Sequence, residues 1–300
     1  MPKPTEIANE AEELKAEAEI AATTKAAAEA SPDEEINGIS PSNAVLHLKS
    51  NPTPKSQYNT SLQDSEKPLL LAYFTIQGLG EVPKLLLAEA GMAYECIAMP
   101  WVEDQALSME WRSRSPNGLM PILSGGGIPR SSPICQSGAI IRFLAKKLGM
   151  DGGSDAVACS RADVLYETAK DLGDGDKKKE IAAVKPTKDY SSAKGPFALG
   201  KRIEKMLMDM ADPKDETSVL NCGQLQLFQI LENCEARRAG CVKENLGDIM
   251  DTFRLDMSNR SGLKEYLNST ARFRHTCADK GLDGGYSFAA GALKRKDIKY

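Results

Sequence analysis

The sequence predicts a small α/β domain followed by an all-helical one. Short apolar strands and amphipathic helices alternate between Lys67 and Met150. Strand signals then vanish after Gly149, and helical periodicity recurs from about 158 to 274. With 300 residues, the chain has room for one large or two ordinary domains. Three segments are expected: a polar tail and linker over 1–66, an α/β domain over 67–150, and a helical domain over 151–300.

Taken in order, positions 5–30 are rich in Ala, Glu and Lys and nearly free of large apolar side chains. A helix there has high propensity and little to bury. Residues 31–66 are dense in Ser, Pro, Asn and Asp, a composition that cannot offset its ordering entropy and reads as linker. The run Leu69 to Phe74 predicts an apolar strand. Pro83 suits the first turn of a helix over LLLAEAG that Gly91 ends. Strands are expected at 93–99 and 120–124, on either side of a polar, Trp-containing stretch over 101–115. The glycines 125–127 suggest a hairpin leading to a fourth short strand at 128–131, and Ser137 to Gly149 is an amphipathic helix.

In the second half, helices are expected at about 158–172, 197–211, 221–237, 242–256 and 261–274. Asn221 and Gln224 form a capping-box signature at the third of these. Residues 173–196 read as an exposed loop insertion, and the glycine-rich, basic C-terminus as partly ordered.

Composition narrows the function classes. The chain is 41% hydrophobic and 27% charged, with a net charge of −4, so it lacks the basic stripe of a nucleic-acid protein. No apolar run approaches the roughly 18 residues of a membrane span. The Glu-rich N-terminus resembles neither a signal peptide nor a transit peptide, so a cytoplasmic location is expected. The 7 cysteines are odd in number and scattered, which excludes a disulfide scaffold or a zinc ribbon and suits a reducing compartment. His47 and His275 stand in no metal-ligand cluster. The GGG at 125–127 lacks the Lys-Ser/Thr of a phosphate loop.

Three features of the α/β half bear on chemistry. Tyr73 ends an apolar strand before a glycine turn. Pro121 opens a strand, where a cis proline would turn the preceding backbone outward and free its N–H and C=O for a ligand. Gln136-Ser137 immediately precedes a helix, where Ser137 could cap it or hold a carboxylate with the first-turn amides.

Together, LAYFTIQGLGEVPKLLLAEAGMAYE, PNGLMPIL and CQSGAIIRFLAKKLGMDG resemble the N-terminal domain of glutathione transferases, nearest the sigma class. The resemblance covers about 69–172 well and 197–275 weakly, and is absent before 66 and over 173–196. It implies a thioredoxin-like domain that binds glutathione and a helical domain that walls an electrophile pocket. It further implies that Tyr73 donates a hydrogen bond to the glutathione sulfur. A free thiol titrates at about 8.5, so such a donor favours the reactive thiolate. Met120, before cis-Pro121, would pair its backbone with the cysteinyl part. Gln136 and Ser137 would hold the γ-glutamyl end, and Arg112 stands where a lysine meets the glycyl carboxylate. Asp171 aligns with an acidic residue that reaches a partner's glutathione, which implies a homodimer. Conjugation to small electrophiles is the implied activity, with isomerase or peroxidase side activity on lipid-derived substrates.

The chain departs from that pattern at Gln77 and Leu79, which stand where arginines are usual. Ser108 replaces a tryptophan, with Trp101 and Trp111 nearby. Cys135 lies far from the first strand, where cysteine-type transferases carry their nucleophile, and reads as a small buried filler. The alternative reading is a non-catalytic relative that keeps the fold in a structural or scaffolding role.

Overall fold

A computed structural model describes residues 46–50, 52–99, 105–269 and 271–273, with side chains outside 46–50, 105–108 and 188–189. The tail up to 45, Trp101, the Ser108 and His47 side chains, His275, Cys277 and the C-terminal glycine-rich segment lie outside this description.

The α/β part is a mixed five-stranded sheet. Its strands are β1 (Leu46–Ser50), β2 (Leu70–Phe74), β3 (Tyr94–Met99), β4 (Ile122–Ser124) and β5 (Ile134–Cys135). They lie in the order β1-β3-β2-β4-β5. Only β2 and β3 run parallel, joined through helix α1 (Glu81–Ala90), which Gly91 ends in a left-handed conformation. A parallel pair requires such a crossover, and the fully buried β2 shows the continuous apolar run expected of it. Helix α2 (Gln105–Ser113) follows β3, and α3 (Ser137–Leu148) follows β5.

The helical part comprises α4 (Ala156–Leu172), α5 (Gly175–Ala182), α6 (Pro196–Leu207), α7 (Cys222–Arg237), α8 (Cys241–Leu246), α9 (Asp248–Asn259) and α10 (Ser261–Asn268). Asn221 and Gln224 form the expected capping box reciprocally, each side chain accepting the other's backbone N–H. Among the described residues, no helix is long and apolar enough to cross a membrane.

Helix α1 is buried along its whole length, packed on α3, α7 and α10 as well as beneath the sheet. It nevertheless carries Glu81, Lys84 and Glu89, each fully buried. Glu89 accepts Nε (2.8 Å) and Nη2 (2.6 Å) of Arg260, itself 1% exposed. Arg260 also donates Nη1 to the Pro213 and Asp215 carbonyls, and Nη2 to that of Ser218. The Tyr58 hydroxyl donates to the same carboxylate oxygen at 3.0 Å, and burial with that negative neighbour pushes its pKa well up. The arginine fork thereby ties α1, the 213–218 loop and the α9–α10 junction into one unit.

Four sequence expectations are corrected. Residues 46–66 are not linker throughout. Leu46–Ser50 pairs with β3, and Tyr58 and Leu62 enter the core. The strand is stabilised by its partner, and a five-residue stretch within a polar region carries too little pattern to show it. The fourth strand is not 128–131, where a bridge joins Gly125 to Ile128, but Ile134–Cys135, beyond Pro129 and Pro133. The insertion 173–196 is not a bare loop. Asp174 caps α5 by accepting the Asp176 N–H, Ile181 and Tyr190 are buried, and Asn245 Nδ2 holds the Ile181 carbonyl at 2.6 Å. Finally, the helix expected over 242–256 breaks at Gly247, whose φ of 98° suits glycine, and the last helix ends at Asn268.

Cys96, Cys222, Cys234 and Cys241 are buried, whereas Cys135 and Cys159 are half-buried, so Cys135 is not the core filler the sequence suggests. Burial pushes the thiols of Cys222 and Cys234 to about 12 and that of Cys241 to about 11.

Two predictions follow from this packing. Arg260→Ala removes two of the bonds to the buried Glu89 carboxylate, leaving it the Lys55 ammonium at 3.2 Å and the Tyr58 hydroxyl, and should cost about 3 kcal/mol in urea unfolding. Arg260→Met with Glu89→Leu should cost clearly less; equal losses for both variants would show that the ion pair is not what the region depends on. Among the described cysteines, iodoacetamide near neutral pH should alkylate Cys135 and Cys159 well before the four buried ones, as peptide mass mapping can record.

Candidate functional site

Three strands end at one edge of the sheet, and the register decides which residues meet there. Ala72 pairs with Ile122, and Ile122 pairs with Cys135. One step further in that register stand Tyr73, Pro121 and Gln136, and one step beyond them Phe74, Met120 and Ser137. Five of the seven candidate site residues, Tyr73, Met120, Pro121, Gln136 and Ser137, thus fall just beyond the last pairs of β2, β4 and β5 at one end of the sheet. The Met120–Pro121 peptide is cis, as the sequence suggests.

Tyr73 is 4% exposed, and its ring meets Phe74 edge-on at 5.3 Å. The turn after β2 wraps the ring closely. A Cβ on Gly78 would lie 2.6 Å from the Tyr73 oxygen, and one on Gly80 would lie 2.5 Å from its ring. Only glycine fits at either place, and the pair flanks Leu79. The Leu79 backbone N–H donates to the Tyr73 hydroxyl oxygen at 3.0 Å. An N–H pointed at a phenolic oxygen stabilises negative charge there, which makes the O–H a better donor.

Gln136 has φ 70° and ψ 117°, and it is the only described residue other than glycine with positive φ. Such a conformation costs on the order of 1–3 kcal/mol and persists only where the surroundings impose it. Its carbonyl accepts the Ile140 N–H at 2.9 Å, so α3 starts directly at the end of β5. No side chain caps α3. Ser137 therefore does not serve as the helix cap, which removes the purely structural reading of that residue. The first-turn amides of α3 thus have no side-chain cap and begin beside the Ser137 hydroxyl, an arrangement suited to a carboxylate.

Arg112, near the end of α2, lies with its guanidinium 5.8 Å from the Phe74 ring. Its Nε is buried without a hydrogen-bond partner, as is the indole Nε1 of the adjacent Trp111. Among the described residues, Arg112 forms no ion pair. Two unpartnered donors and one uncompensated cation beside the sheet edge fit a ligand with anionic ends. Asp171 stands apart from this cluster, exposed at the C-terminal end of α4. Of the two departures in the turn, Leu79 leaves 60% of its surface exposed whereas Gln77 is buried.

The Leu79 amide was not legible in the sequence, because a backbone donor has no residue signature. The Gly78-x-Gly80 spacing beside Tyr73 is the one signal that could have indicated the close turn. A separate cavity of about 690 Å³ lies at the other end of α3, between α4 and α6, lined by Ala162, Val164, Met206 and Met210 with Arg161 and Lys205. It contains none of the candidate site residues.

Residues 70–146 match the family described as glutathione S-transferase, N-terminal domain. A glutathione S-transferase P of Caenorhabditis elegans is 36% identical over 107 residues, 35% of this chain and 46% of the relative. A glutathione S-transferase of Dirofilaria immitis is 35% identical over 102 residues, 34% of this chain and 45% of the relative. The chain thus spans less than half the length of these two curated relatives. The solved structure of an Onchocerca volvulus pi-class glutathione S-transferase superposes with a TM-score of 0.50 at 24% identity, covering 67% of this chain and 92% of that one. A Caenorhabditis elegans glutathione S-transferase gives 0.51 at 20% identity, covering 67% and 97%. Residues 70–146 match the glutathione S-transferase N-terminal domain model, and the chain carries the glutathione S-transferase fold.

Proposed function

We propose that the protein is a glutathione transferase in which the Tyr73 hydroxyl favours the thiolate of bound glutathione. The observation that supports this reading is that the register of β2, β4 and β5, continued past their last pairs, brings Tyr73, Met120, Pro121, Gln136 and Ser137 to one end of the sheet. Bound glutathione supplies the nucleophilic sulfur. The Tyr73 hydroxyl, its oxygen held by the Leu79 amide, donates toward that sulfur and stabilises it as the anion. Met120 offers backbone groups beyond the last strand pair. Ser137, Gln136 and the start of α3 receive the γ-glutamyl end, and Arg112 and Trp111 supply donors for the glycyl carboxylate.

Electrophile conjugation is the proposed reaction, with isomerase or peroxidase activity on lipid-derived substrates as side activities. The motif residues follow the sigma pattern, whereas the relatives above carry P or pi designations, and a panel of electrophiles separates these classes. The exposed Asp171 suits a contact across a homodimer, which light scattering tests directly. A cytoplasmic location agrees with the scattered thiols.

One observation favours the second reading, a non-catalytic relative. The exposed, apolar Leu79 stands where the resemblance expects a cation, so the thiolate lacks that electrostatic help.

Titrating bound glutathione by its ultraviolet thiolate absorbance separates the two. Wild type should hold thiolate well below pH 8.5, and Tyr73→Phe should lose this with a fall in kcat of roughly 100-fold. Bound glutathione that stays protonated in wild type would establish the non-catalytic relative. Ser137→Ala should raise the Kd for glutathione by about 10-fold or more, the usual cost of a lost hydrogen bond to a charged group. An unchanged Kd would remove Ser137 from the site.

A further inference from the structure

The turn that carries the Leu79 amide is held from outside the α/β domain. Gln77, 4% exposed, donates its side-chain Nε2 to the Phe273 carbonyl at 2.8 Å, across 196 residues of sequence. The Phe273 ring lies 4.3 Å from the buried Lys84 ammonium, which has no hydrogen-bond partner. Between these two contacts, Glu81 accepts the Tyr266 hydroxyl at 2.9 Å and Arg272 Nε at 3.1 Å. Four contacts from residues 266–273 therefore land on residues 77–84.

The inner side of the same turn bears on Tyr73, through Gly78 and Gly80 against its ring and Leu79 N–H on its oxygen. The Gly80 N–H closes the turn on the Gln77 carbonyl at 3.2 Å, so a pull on Gln77 reaches Leu79 through two bonded neighbours.

We propose that Tyr266, Arg272 and Phe273 latch the Gln77–Glu81 turn and thereby position the Tyr73 hydroxyl, with Gln77 and Phe273 as positioning residues. The proposal rests on the role of Tyr73 given above. Simple domain adhesion does not require this chemistry. A buried ammonium that lies against an aromatic ring and has no hydrogen-bond partner is a poor choice for adhesion alone, since an apolar side chain packs there without desolvating a charge. With Phe273 in place, Lys84 is satisfied by the ring. Without it, the ammonium draws water into the first turn of α1, next to the residues that hold Tyr73. Gln77 acts from the other end, because its amide is the link between the turn and the Phe273 backbone.

The test uses the full chain with Gln77→Met, which keeps the volume and removes the donor, Phe273→Ala, and the double variant. Phe273→Leu replaces Phe273→Ala if the latter does not melt cooperatively. Amide hydrogen exchange at Leu79 in the ligand-free protein should quicken by about tenfold in each single variant. The pKa of bound glutathione should rise by roughly one unit, a tenfold loss of thiolate, with Kd changed less than about twofold. The double variant should resemble the worse single one, because both act through one turn. If wild type lowers the thiol pKa while both variants titrate and exchange as it does, the latch is overturned and the Tyr73 reading stands. If wild type leaves bound glutathione protonated, the Tyr73 reading fails and the latch proposal with it.

Discussion

The pairing of Glu89 with Arg260 is the constraint on which the architecture depends. Helix α1 lies between the sheet and the helical part and has no face left for water, yet it carries three charged side chains. Each charge must find compensation in protein, because desolvating an unpaired one costs several kcal/mol. Arg260 answers Glu89 with two nitrogens and spends its remaining donors on three backbone carbonyls of the 213–218 loop. Arg272 and Tyr266 answer Glu81, and the Phe273 ring faces Lys84. All of these partners come from the last part of the described chain, so the helical part is bound to α1 by charge complementarity as well as by apolar packing.

Arginine suits this place for a geometric reason. Its planar fork supplies several donors in fixed directions, so one side chain can satisfy a carboxylate and a set of carbonyls together. A lysine at 260 would bring three donors on one nitrogen and could not span the same partners. A second ion-pair chain, in which Glu232 bridges Arg254 and Arg272, extends the arrangement onto α7 and α9.

The candidate site has a different origin. It is made by strands that end, not by a cavity lined with motif side chains. Pairing of β2 with β4 stops at Ala72 and Ile122 and that of β4 with β5 at Cys135, while Tyr73 and Phe74 stay paired with Ala98 and Met99 of β3. The strained backbone of Gln136 belongs to the same arrangement: β5 must give way to α3 within one residue if the helix is to start at that edge. Chain geometry thereby brings amide donors, a hydroxyl and a tyrosine together without a cluster of titratable side chains.

The sequence by itself determined the order of the elements, because apolar runs, glycine stops and the Asn221–Gln224 cap act over a few residues and are written locally. It also determined the motif residues at the sheet edge, since Tyr73, Pro121 and Gln136-Ser137 each sit where a strand or helix visibly begins or ends. Tertiary structure decided what local pattern could not hold. Leu46–Ser50 becomes a strand because β3 offers it a partner, and α5 forms because Asn245 and Arg238 take up its carbonyl groups. Gln77, read in sequence as a missing arginine, acquires its role from Phe273, and the hydroxyl of Tyr73 is held by a backbone amide. Such contacts join residues far apart in the chain or use atoms common to every residue, so their energies appear only once the fold has brought the partners together.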